Sequence, residues 1–158
     1  MIPRRELEAL LAGRLPLWPY LEEARRVREA AFGREVETCA ILNAKSGRCP
    51  SDCAFCAQSV HHRAKAPVYP LLSSEEILSA AEEAARAGID RFSLVTSGIR
   101  LSAREFERLL EVIRKIRKRW PGLKLCASLG QLGRSELLAL KEAGLSRYHH
   151  NLETAESL

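Results

Sequence analysis

The stretch VETCAILNAKSGRCPSDCAFC, residues 36–56, decides the fold. Its first seven residues are rich in β-branched and apolar side chains and are bounded by polar ones, which predicts a strand over residues 36–42. No regular period follows over residues 43–72, and this long loop carries three cysteines. Because loops longer than about 12–15 residues inside compact domains are usually functional, we expect this loop to carry the chemistry.

Strand and helix alternate strictly after the loop. Two helices begin with a capping box, in which a serine pairs with a glutamate three residues later: Ser73 with Glu76, and Ser102 with Glu105. A third helix is predicted over residues 134–143. The strands predicted between and after these helices span residues 91–97, 123–129 and 147–152. This alternation implies parallel strands joined by right-handed crossovers.

These patterns predict an α/β fold of the TIM-type (β/α) barrel class. The helix-to-strand transition AGIDRF, residues 87–92, is echoed by AGLSRY, residues 143–148, which favours a barrel over an open Rossmann sheet. No G-x-G-x-x-G motif follows the first strand. A complete barrel needs about 250 residues, so we expect this chain to provide only about the first four βα units, a half barrel. The predicted domains are a helical segment over residues 1–34 and a C-terminally truncated half barrel over residues 35–158.

Composition and charge exclude several classes of protein. Hydrophobic residues make up 46% of the chain and charged residues 28%, which excludes a disordered chain. The net charge is +5, but only 6% of the residues are aromatic, and we expect the basic run over residues 114–119 to be a solvated helix face. We therefore predict no binding to nucleic acid. Without a signal peptide or a stretch of about 20 apolar residues, we expect a cytoplasmic protein with no membrane association.

Three cysteines in the loop form the strongest local signal. Cys49, Cys53 and Cys56 have the spacing C-x₃-C-x₂-C, and three thiolates so close in sequence fit one compact metal centre. In a reducing compartment we expect the chain's five cysteines to be free of disulfides. Soft sulfur ligands suit zinc or an iron–sulfur cluster. Zinc would need a fourth ligand, which His61 or His62 could provide, whereas a [4Fe–4S] cluster would keep one open iron.

The cysteine motif, with Phe55 before its last cysteine, resembles that of the radical S-adenosylmethionine (SAM) enzymes. The wider sequence resembles the biotin synthase family in particular. Four blocks carry this resemblance in the family's order: NAKSGRCPSDCAFCAQS at residues 43–59, RFSLVTSG at 91–98, CASLG at 126–130 and YHHNLET at 148–154. Together they are far more specific than the cysteine motif alone.

The resemblance implies the N-terminal half of a radical SAM barrel with a defined chemistry. Cys49, Cys53 and Cys56 would hold a [4Fe–4S] cluster whose fourth iron binds SAM. Reductive cleavage of SAM would give a 5′-deoxyadenosyl radical, which takes hydrogen from dethiobiotin before sulfur is inserted. The expected partners are a one-electron reductase, ferredoxin or flavodoxin, and a second copy of the chain in a full-length homodimer.

The same resemblance assigns roles to further residues. Phe55 would lie near the adenine of SAM, and Asn151 and Glu153 would bind the ribose or the substrate. Cys126 would be a ligand of an auxiliary iron–sulfur cluster that donates the sulfur, either [2Fe–2S] or another type. Two positions depart from the family's pattern. Ser93 stands where many members have a further auxiliary-cluster cysteine, and Glu153 stands where many have aspartate.

Several alternatives stay open on the sequence alone. Another radical SAM enzyme of the same group, similar to hydrogenase-maturation or methylornithine-forming enzymes, would share the cysteine motif. A non-catalytic zinc-binding module would use the same thiols as structural ligands. Cys39, on the first strand without a motif partner, is expected to be a buried, inert thiol. His149 and His150 are expected to point to opposite faces of the fourth strand.

Overall fold

The structure, a computed structural model, describes residues 2–153. Between Val36 and Glu37 the chain divides into two compact units. The first contains two helices, α1 (Arg4–Leu11) and α2 (Trp18–Phe32), and the second contains a parallel sheet with three helices. Among the described residues, no helix combines the length and the apolar character needed to cross a bilayer.

The two helices of the first unit are separated at a glycine. Gly13 has a φ of +67°, in the left-handed region that glycine adopts most readily. Pro19 lies in the first turn of α2, where a missing N–H costs no helical hydrogen bond. The hydroxyl of Tyr20 donates a hydrogen bond of 2.9 Å to the carboxylate of Glu6, which ties α2 to α1.

The second unit is a four-stranded parallel sheet in the order β1-β2-β3-β4. Its strands are β1 (Cys39–Lys45), β2 (Arg91–Thr96), β3 (Lys124–Ser128) and β4 (Arg147–Tyr148). The helices that connect them in turn are α3 (Ser74–Arg86), α4 (Ala103–Arg119) and α5 (Arg134–Glu142). The predicted alternation of strand and helix is therefore confirmed, and each helix is the crossover that a parallel pair requires.

One face of the sheet packs against the helices and forms the core. Phe92, Leu94 and Leu125 point to this face and are at most 2% exposed. They belong to the same buried cluster as Ile113 of α4. Successive strand residues point to opposite faces, so the residues between them lie on the other side of the sheet. That second face is open, and Ile41 of β1 is 70% exposed there.

The first strand is shifted toward the C-terminus from the predicted residues 36–42. Its start is explained by Asp90, whose carboxylate accepts hydrogen bonds from the backbone N–H and the hydroxyl of Thr38, at 2.7 and 2.8 Å. These two bonds lower the pKa of Asp90. They also use the N–H of Thr38, so strand pairing begins one residue later. At its other end β1 pairs with β2 as far as Lys45, where the sequence predicts a loop.

The fourth strand is much shorter than the predicted residues 147–152. Only its first two residues pair with β3. The backbone N–H of His149 donates one further hydrogen bond of 2.8 Å to the carbonyl of Ala127. Because β3 ends at Ser128, the chain beyond has no neighbouring strand to pair with. His149 and His150 therefore lie beyond the paired part of β4, and their orientation to opposite sides stays a prediction.

A substitution in the capping box of α4 tests how much this box contributes to the stability of the fold. The hydroxyl of Ser102 accepts a hydrogen bond from the N–H of Glu105, whose carboxylate accepts one from the N–H of Ser102. Ser102→Ala removes one acceptor and is expected to lower the free energy of unfolding by about 1 kcal/mol. Urea denaturation measures this change. Ser135→Ala, at an exposed position of α5, is the control, and an equal loss in both variants would contradict the assignment.

Candidate functional site

A cavity of about 560 Å³ opens at the carboxyl ends of the parallel strands. This volume lies within the range of about 300–1,000 Å³ that is typical of ligand pockets. Its lining includes Asn43 of β1, Val95 of β2 and Ser128 of β3, together with the loop that follows β1. Active sites of (β/α) barrels lie at this edge of the sheet, so the cavity is the candidate site.

All three cysteines of the C-x₃-C-x₂-C motif line this cavity. Cys49, Cys53 and Cys56 are free thiols of intermediate exposure. Burial, followed by the charges of Glu153, Cys56 and Cys49, raises the pKa of the Cys53 thiol. Among the described residues, however, no three His, Cys, Asp or Glu side chains converge on a single metal ion.

Backbone hydrogen bonds fold the cysteine loop back on itself. The N–H of Cys49 donates to the carbonyl of Gln58 at 3.0 Å, and the N–H of Val60 donates to the carbonyl of Cys49 at 2.9 Å. Inside this closed loop the N–H of Cys56 donates to the carbonyl of Cys53 at 3.0 Å. These bonds bring the first and the last cysteine of the motif to the same cavity.

The side chain of Gln58 fixes the start of the loop. Its amide oxygen accepts hydrogen bonds from the backbone N–H of Gly47 and, at 3.0 Å, from the hydroxyl of Ser46. On the other side, the hydroxyl of Ser97 donates to the carbonyl of Gly47 at 2.8 Å. Gly47 has a φ of +79°, and a Cβ atom there would lie 2.6 Å from the side chain of Val68. The loop therefore requires glycine at this position.

The two histidines after the motif bind the loop's backbone. Nε2 of His62 is 2.9 Å from the carbonyl oxygen of Cys53, and Nε2 of His61 is 3.1 Å from that of Pro50. Because a carbonyl oxygen only accepts hydrogen bonds, both Nε2 atoms must carry the proton. Neither Nε2 atom is then available as the fourth ligand of a zinc ion.

Asn151 and Glu153 line the same cavity as the cysteines. The amide nitrogen of Asn151 donates a hydrogen bond of 2.8 Å to the carboxylate of Glu153. The backbone of Glu153 has a φ of +55°, which is uncommon for a residue other than glycine. Phe55 is 74% exposed and is not part of the cavity lining, so its contact with adenine stays a prediction. Thr154, the last residue of the fourth resemblance block, lies outside the described residues.

Ser93 and Cys126 lie side by side below the cavity, on the open face of the sheet. They are Cα partners in the parallel register of β2 and β3. Each stands two residues before a residue that lines the cavity, Val95 and Ser128 respectively. Cys126 is fully buried and Ser93 is 6% exposed. The pair is therefore one side-chain layer below the cavity and does not belong to its lining.

Arg91 contacts the sulfur of Cys126 on this face. Its Nη1 donates to Sγ of Cys126 and to the hydroxyl of Ser146, both at 3.3 Å, and its Nη2 donates to Glu37 at 2.8 Å. The bonds to Cys126 and then to Glu37 are the largest causes that raise the pKa of Arg91. Glu37 also accepts a bond of 2.7 Å from Lys124, which is the first cause of its own lowered pKa. Arg91 thus links the buried thiol to Glu37, which in turn pairs with Lys124.

Comparison with known proteins identifies the family. The family model of the radical SAM superfamily matches residues 44–158, which include the end of β1, the cysteine loop and the strands β2, β3 and β4. The chain belongs to the radical SAM superfamily. Radical SAM proteins bind a [4Fe–4S] cluster and SAM, and three cysteine thiols line the cavity of this chain.

Curated radical SAM relatives match most of this chain. A biotin synthase of Pelotomaculum thermopropionicum is 52% identical over 134 residues, which are 85% of this chain and 41% of that protein. A biotin synthase of Nitratidesulfovibrio vulgaris (strain DP4) is 48% identical over 153 residues, which are 95% of this chain and 42% of that protein. The chain thus spans about two fifths of the length of these relatives. The resemblance to the N-terminal part of biotin synthases is confirmed.

A solved radical SAM structure matches the fold. The crystal structure of methylornithine synthase covers 94% of this chain with a TM-score of 0.66, and the match includes 40% of that protein. At 22% identity the likeness concerns the fold alone. It confirms the predicted α/β class, in which four parallel strands with their crossover helices form part of a radical SAM barrel.

Three residues of the site were missed by sequence reasoning. Gln58, Ser97 and Arg91 have no pattern of their own that marks them as functional. Only their position in the sequence could have marked them as candidates. Gln58 lies in the resemblance block at residues 43–59, and the other two lie in the block at residues 91–98.

The residues around the cavity fit a [4Fe–4S] cluster with SAM. The three thiols supply the soft ligands that iron–sulfur clusters require. The hydroxyl of Thr96, also in the lining, is buried and has no hydrogen-bond partner among the described residues. A polar ligand in the cavity would give this hydroxyl the partner that a buried polar group needs.

Gly47→Ala tests whether cluster binding depends on the shape of the loop. The added Cβ atom would collide with Val68, and alanine is strained at this φ. We expect the iron content after anaerobic reconstitution to fall several-fold. Gly122→Ala, where no atom lies within 4 Å of the new Cβ, is the matched control. Normal iron content in the Gly47 variant would show that the loop tolerates another conformation.

Proposed function

We propose that this chain is the N-terminal part of a biotin synthase-like radical SAM sulfurtransferase, which inserts sulfur into dethiobiotin. The observation that carries the proposal is the placement of Cys49, Cys53 and Cys56 around one cavity at the carboxyl ends of the strands. About 50% identity to biotin synthases supports the substrate. Because the chain spans two fifths of those relatives, the activity is proposed for the whole protein.

The cysteine loop is proposed to hold the [4Fe–4S] cluster. When bound there with SAM, the cluster supplies the reductive cleavage of a sulfonium C–S bond that yields a 5′-deoxyadenosyl radical. The loop's own contribution is to fix three thiolates on one side of the cavity. Its closing hydrogen bonds at Cys49 and Cys56 do this without using the sulfur atoms. The rest of the cavity stays free for SAM.

The far side of the cavity is proposed to bind the nucleoside of SAM. Asn151 and Glu153 are linked by a hydrogen bond, which orients the carboxylate of Glu153 toward a hydroxyl donor such as a ribose. Glutamate retains the charge that many family members supply with aspartate. Phe55 is proposed to pack against the adenine, since its exposed ring offers an apolar surface next to Cys56.

An auxiliary iron–sulfur cluster, [2Fe–2S] or another type, is proposed to supply the sulfur. Cys126 is the proposed ligand, because its sulfur lies one side-chain layer below the cavity where the radical would form. Ser93 occupies the neighbouring position with a hydroxyl. Hydroxyl oxygen is a harder ligand than the thiolates that such clusters select.

The proposed setting of the whole protein is the cytoplasm. Five free cysteines fit a compartment that keeps thiols reduced. The proposed partners are dethiobiotin, a one-electron reductase such as ferredoxin or flavodoxin, and a second copy of the full-length protein.

Two variants of the full-length protein, each with one cysteine replaced, separate radical formation from sulfur insertion. With SAM, dethiobiotin and a strong reductant, Cys53→Ala is expected to lose the formation of 5′-deoxyadenosine. Cys126→Ala is expected to retain it, because Cys126 lies outside the SAM cavity, but to form no biotin. Liquid chromatography with mass spectrometry measures both products.

The wild-type protein is the reference in this experiment. If it forms 5′-deoxyadenosine and no biotin, the radical SAM assignment stands and the proposed substrate is wrong. If it holds stoichiometric zinc and forms neither product, the proposed function is wrong as a whole.

A further inference from the structure

The segment that follows the cysteine motif, residues 60–69, is attached at both ends to the start of the cysteine loop. At its beginning, the N–H of Val60 donates a hydrogen bond of 2.9 Å to the carbonyl of Cys49. At its end, Tyr69 pairs with Ser46 through two backbone hydrogen bonds of 3.1 Å. The residues between these two attachments therefore form a loop on the outside of the cysteine motif.

Three exposed cations lie on this segment and beside its attachment. Arg63 and Lys65 belong to the segment, and Arg48 lies between the two residues to which the ends of the segment bind. The ion pairs that form among the described residues use other cations. Over residues 46–70 the one acidic residue is Asp52. The outside of the cysteine loop therefore carries an excess of positive charge.

Two valines are exposed among these cations. Val60 is 57% exposed and Val68 is 58% exposed. With Arg48, Arg63 and Lys65 they form what we call the basic loop surface. The residues of this surface are not part of the cavity lining, so it lies on the outer side of the loop. Apolar side chains surrounded by charged ones are typical of transient protein interfaces.

The basic loop surface lies next to the backbone of the cysteine motif. Arg63 directly follows His62, and Nε2 of His62 is 2.9 Å from the carbonyl oxygen of Cys53. A single imidazole ring therefore separates the backbone beside Arg63 from that of Cys53. All three motif cysteines are of intermediate exposure, so a metal centre held by them lies near the surface of the described chain. A protein bound to the basic loop surface comes close to that centre.

A second group of exposed cations lies on α4, far from the cysteines. Arg114 and Lys118 belong to the C-terminal half of this helix. The helix has 17 residues and is therefore about 25 Å long. It begins after the carboxyl end of β2 and ends before the amino end of β3, so its basic end lies at the edge of the sheet opposite the cavity. An electron donor bound there would be far from the motif.

We propose that the basic loop surface is the docking site of an acidic one-electron carrier protein, which reduces the cluster held by Cys49, Cys53 and Cys56. This inference rests on the proposed function, which includes that cluster and such a partner. The carrier loses one electron and the cluster gains it, and no covalent bond forms or breaks. Exposed cations attract an acidic protein and speed its association. Because the carrier binds outside the loop, the cavity on the inner side stays free for SAM.

The test uses the full-length protein after anaerobic reconstitution, with an acidic flavodoxin as the carrier. The double variant Arg63→Glu/Lys65→Glu reverses two charges of the basic loop surface. The double variant Arg114→Glu/Lys118→Glu is the matched control, because it changes the net charge equally at exposed positions of α4. Stopped-flow absorbance measures the rate at which reduced flavodoxin reduces the cluster. Calorimetry measures the Kd of oxidised flavodoxin in the absence of SAM.

We expect the loop variant to lower the second-order rate of cluster reduction about tenfold at low salt, and to raise the Kd of flavodoxin by a similar factor. Both effects are expected to shrink at higher salt, because dissolved ions screen charges. The α4 control is expected to match the wild-type protein. Photoreduced 5-deazariboflavin, a small uncharged reductant, needs no docking site and is expected to reduce the cluster equally in all three proteins.

Three results would overturn the inference: a loop variant that is reduced at the wild-type rate, an α4 control that loses as much, or a loop variant that is also slow with the deazaflavin. The last result would show that the cations act on the cluster itself. Iron analysis and thermal melting by circular dichroism identify a variant that fails to bind its cluster or to fold. In that case Arg63→Gln/Lys65→Gln is compared with Arg114→Gln/Lys118→Gln by the same criteria.

The proposed function and this inference can fail separately. Biotin formation by the wild-type protein, with reduction by flavodoxin unaffected in the loop variant, would retain the function and remove the inference. Reduction that depends on Arg63 and Lys65, in a protein that forms no biotin, would retain the docking site and remove the proposed substrate.

Discussion

The parallel register of β1, β2 and β3 is the constraint on which the rest of the structure depends. Because all strands run in one direction, their carboxyl ends meet at one edge, and the loop after β1 closes over that edge. The same register fixes the layers on the open face. Asn43, Val95 and Ser128 face the cavity, and Ser93 and Cys126 lie one layer below. The distance between the two candidate metal sites is thus set by the sheet.

The loop itself is held by neighbours that have no ligand role. Gln58 accepts a hydrogen bond from the N–H of Gly47, and Ser97 donates one to its carbonyl. Two histidines are hydrogen-bonded to backbone carbonyls near the cysteines. This arrangement uses backbone groups and leaves all three sulfur atoms uncommitted. A site built this way is shaped before its cofactor arrives, which lowers the ordering cost of binding.

Sequence patterns predicted the fold class and the cysteine site. They did not predict the residues that fix the cysteine loop or those that set the ends of the strands. Capping boxes and periodicity depend on local chemistry, so α3 and α4 were placed correctly. The ends of β1 and β4 depend on partners far along the chain: Asp90 for Thr38, and the end of β3 for His149. Cys39, expected to be buried, is exposed. It was misjudged for the same reason, since exposure on one face of a strand depends on what covers that face.

The cysteine loop is proposed to hold a cluster with one iron open to SAM. The most direct measurement is electron–nuclear double resonance on the reduced full-length protein with SAM labelled with ¹⁵N at its amino group. We expect a ¹⁵N hyperfine coupling that shows nitrogen bound to iron, and its loss in Cys53→Ala. A reduced cluster that shows no coupling to the labelled SAM would contradict this assignment.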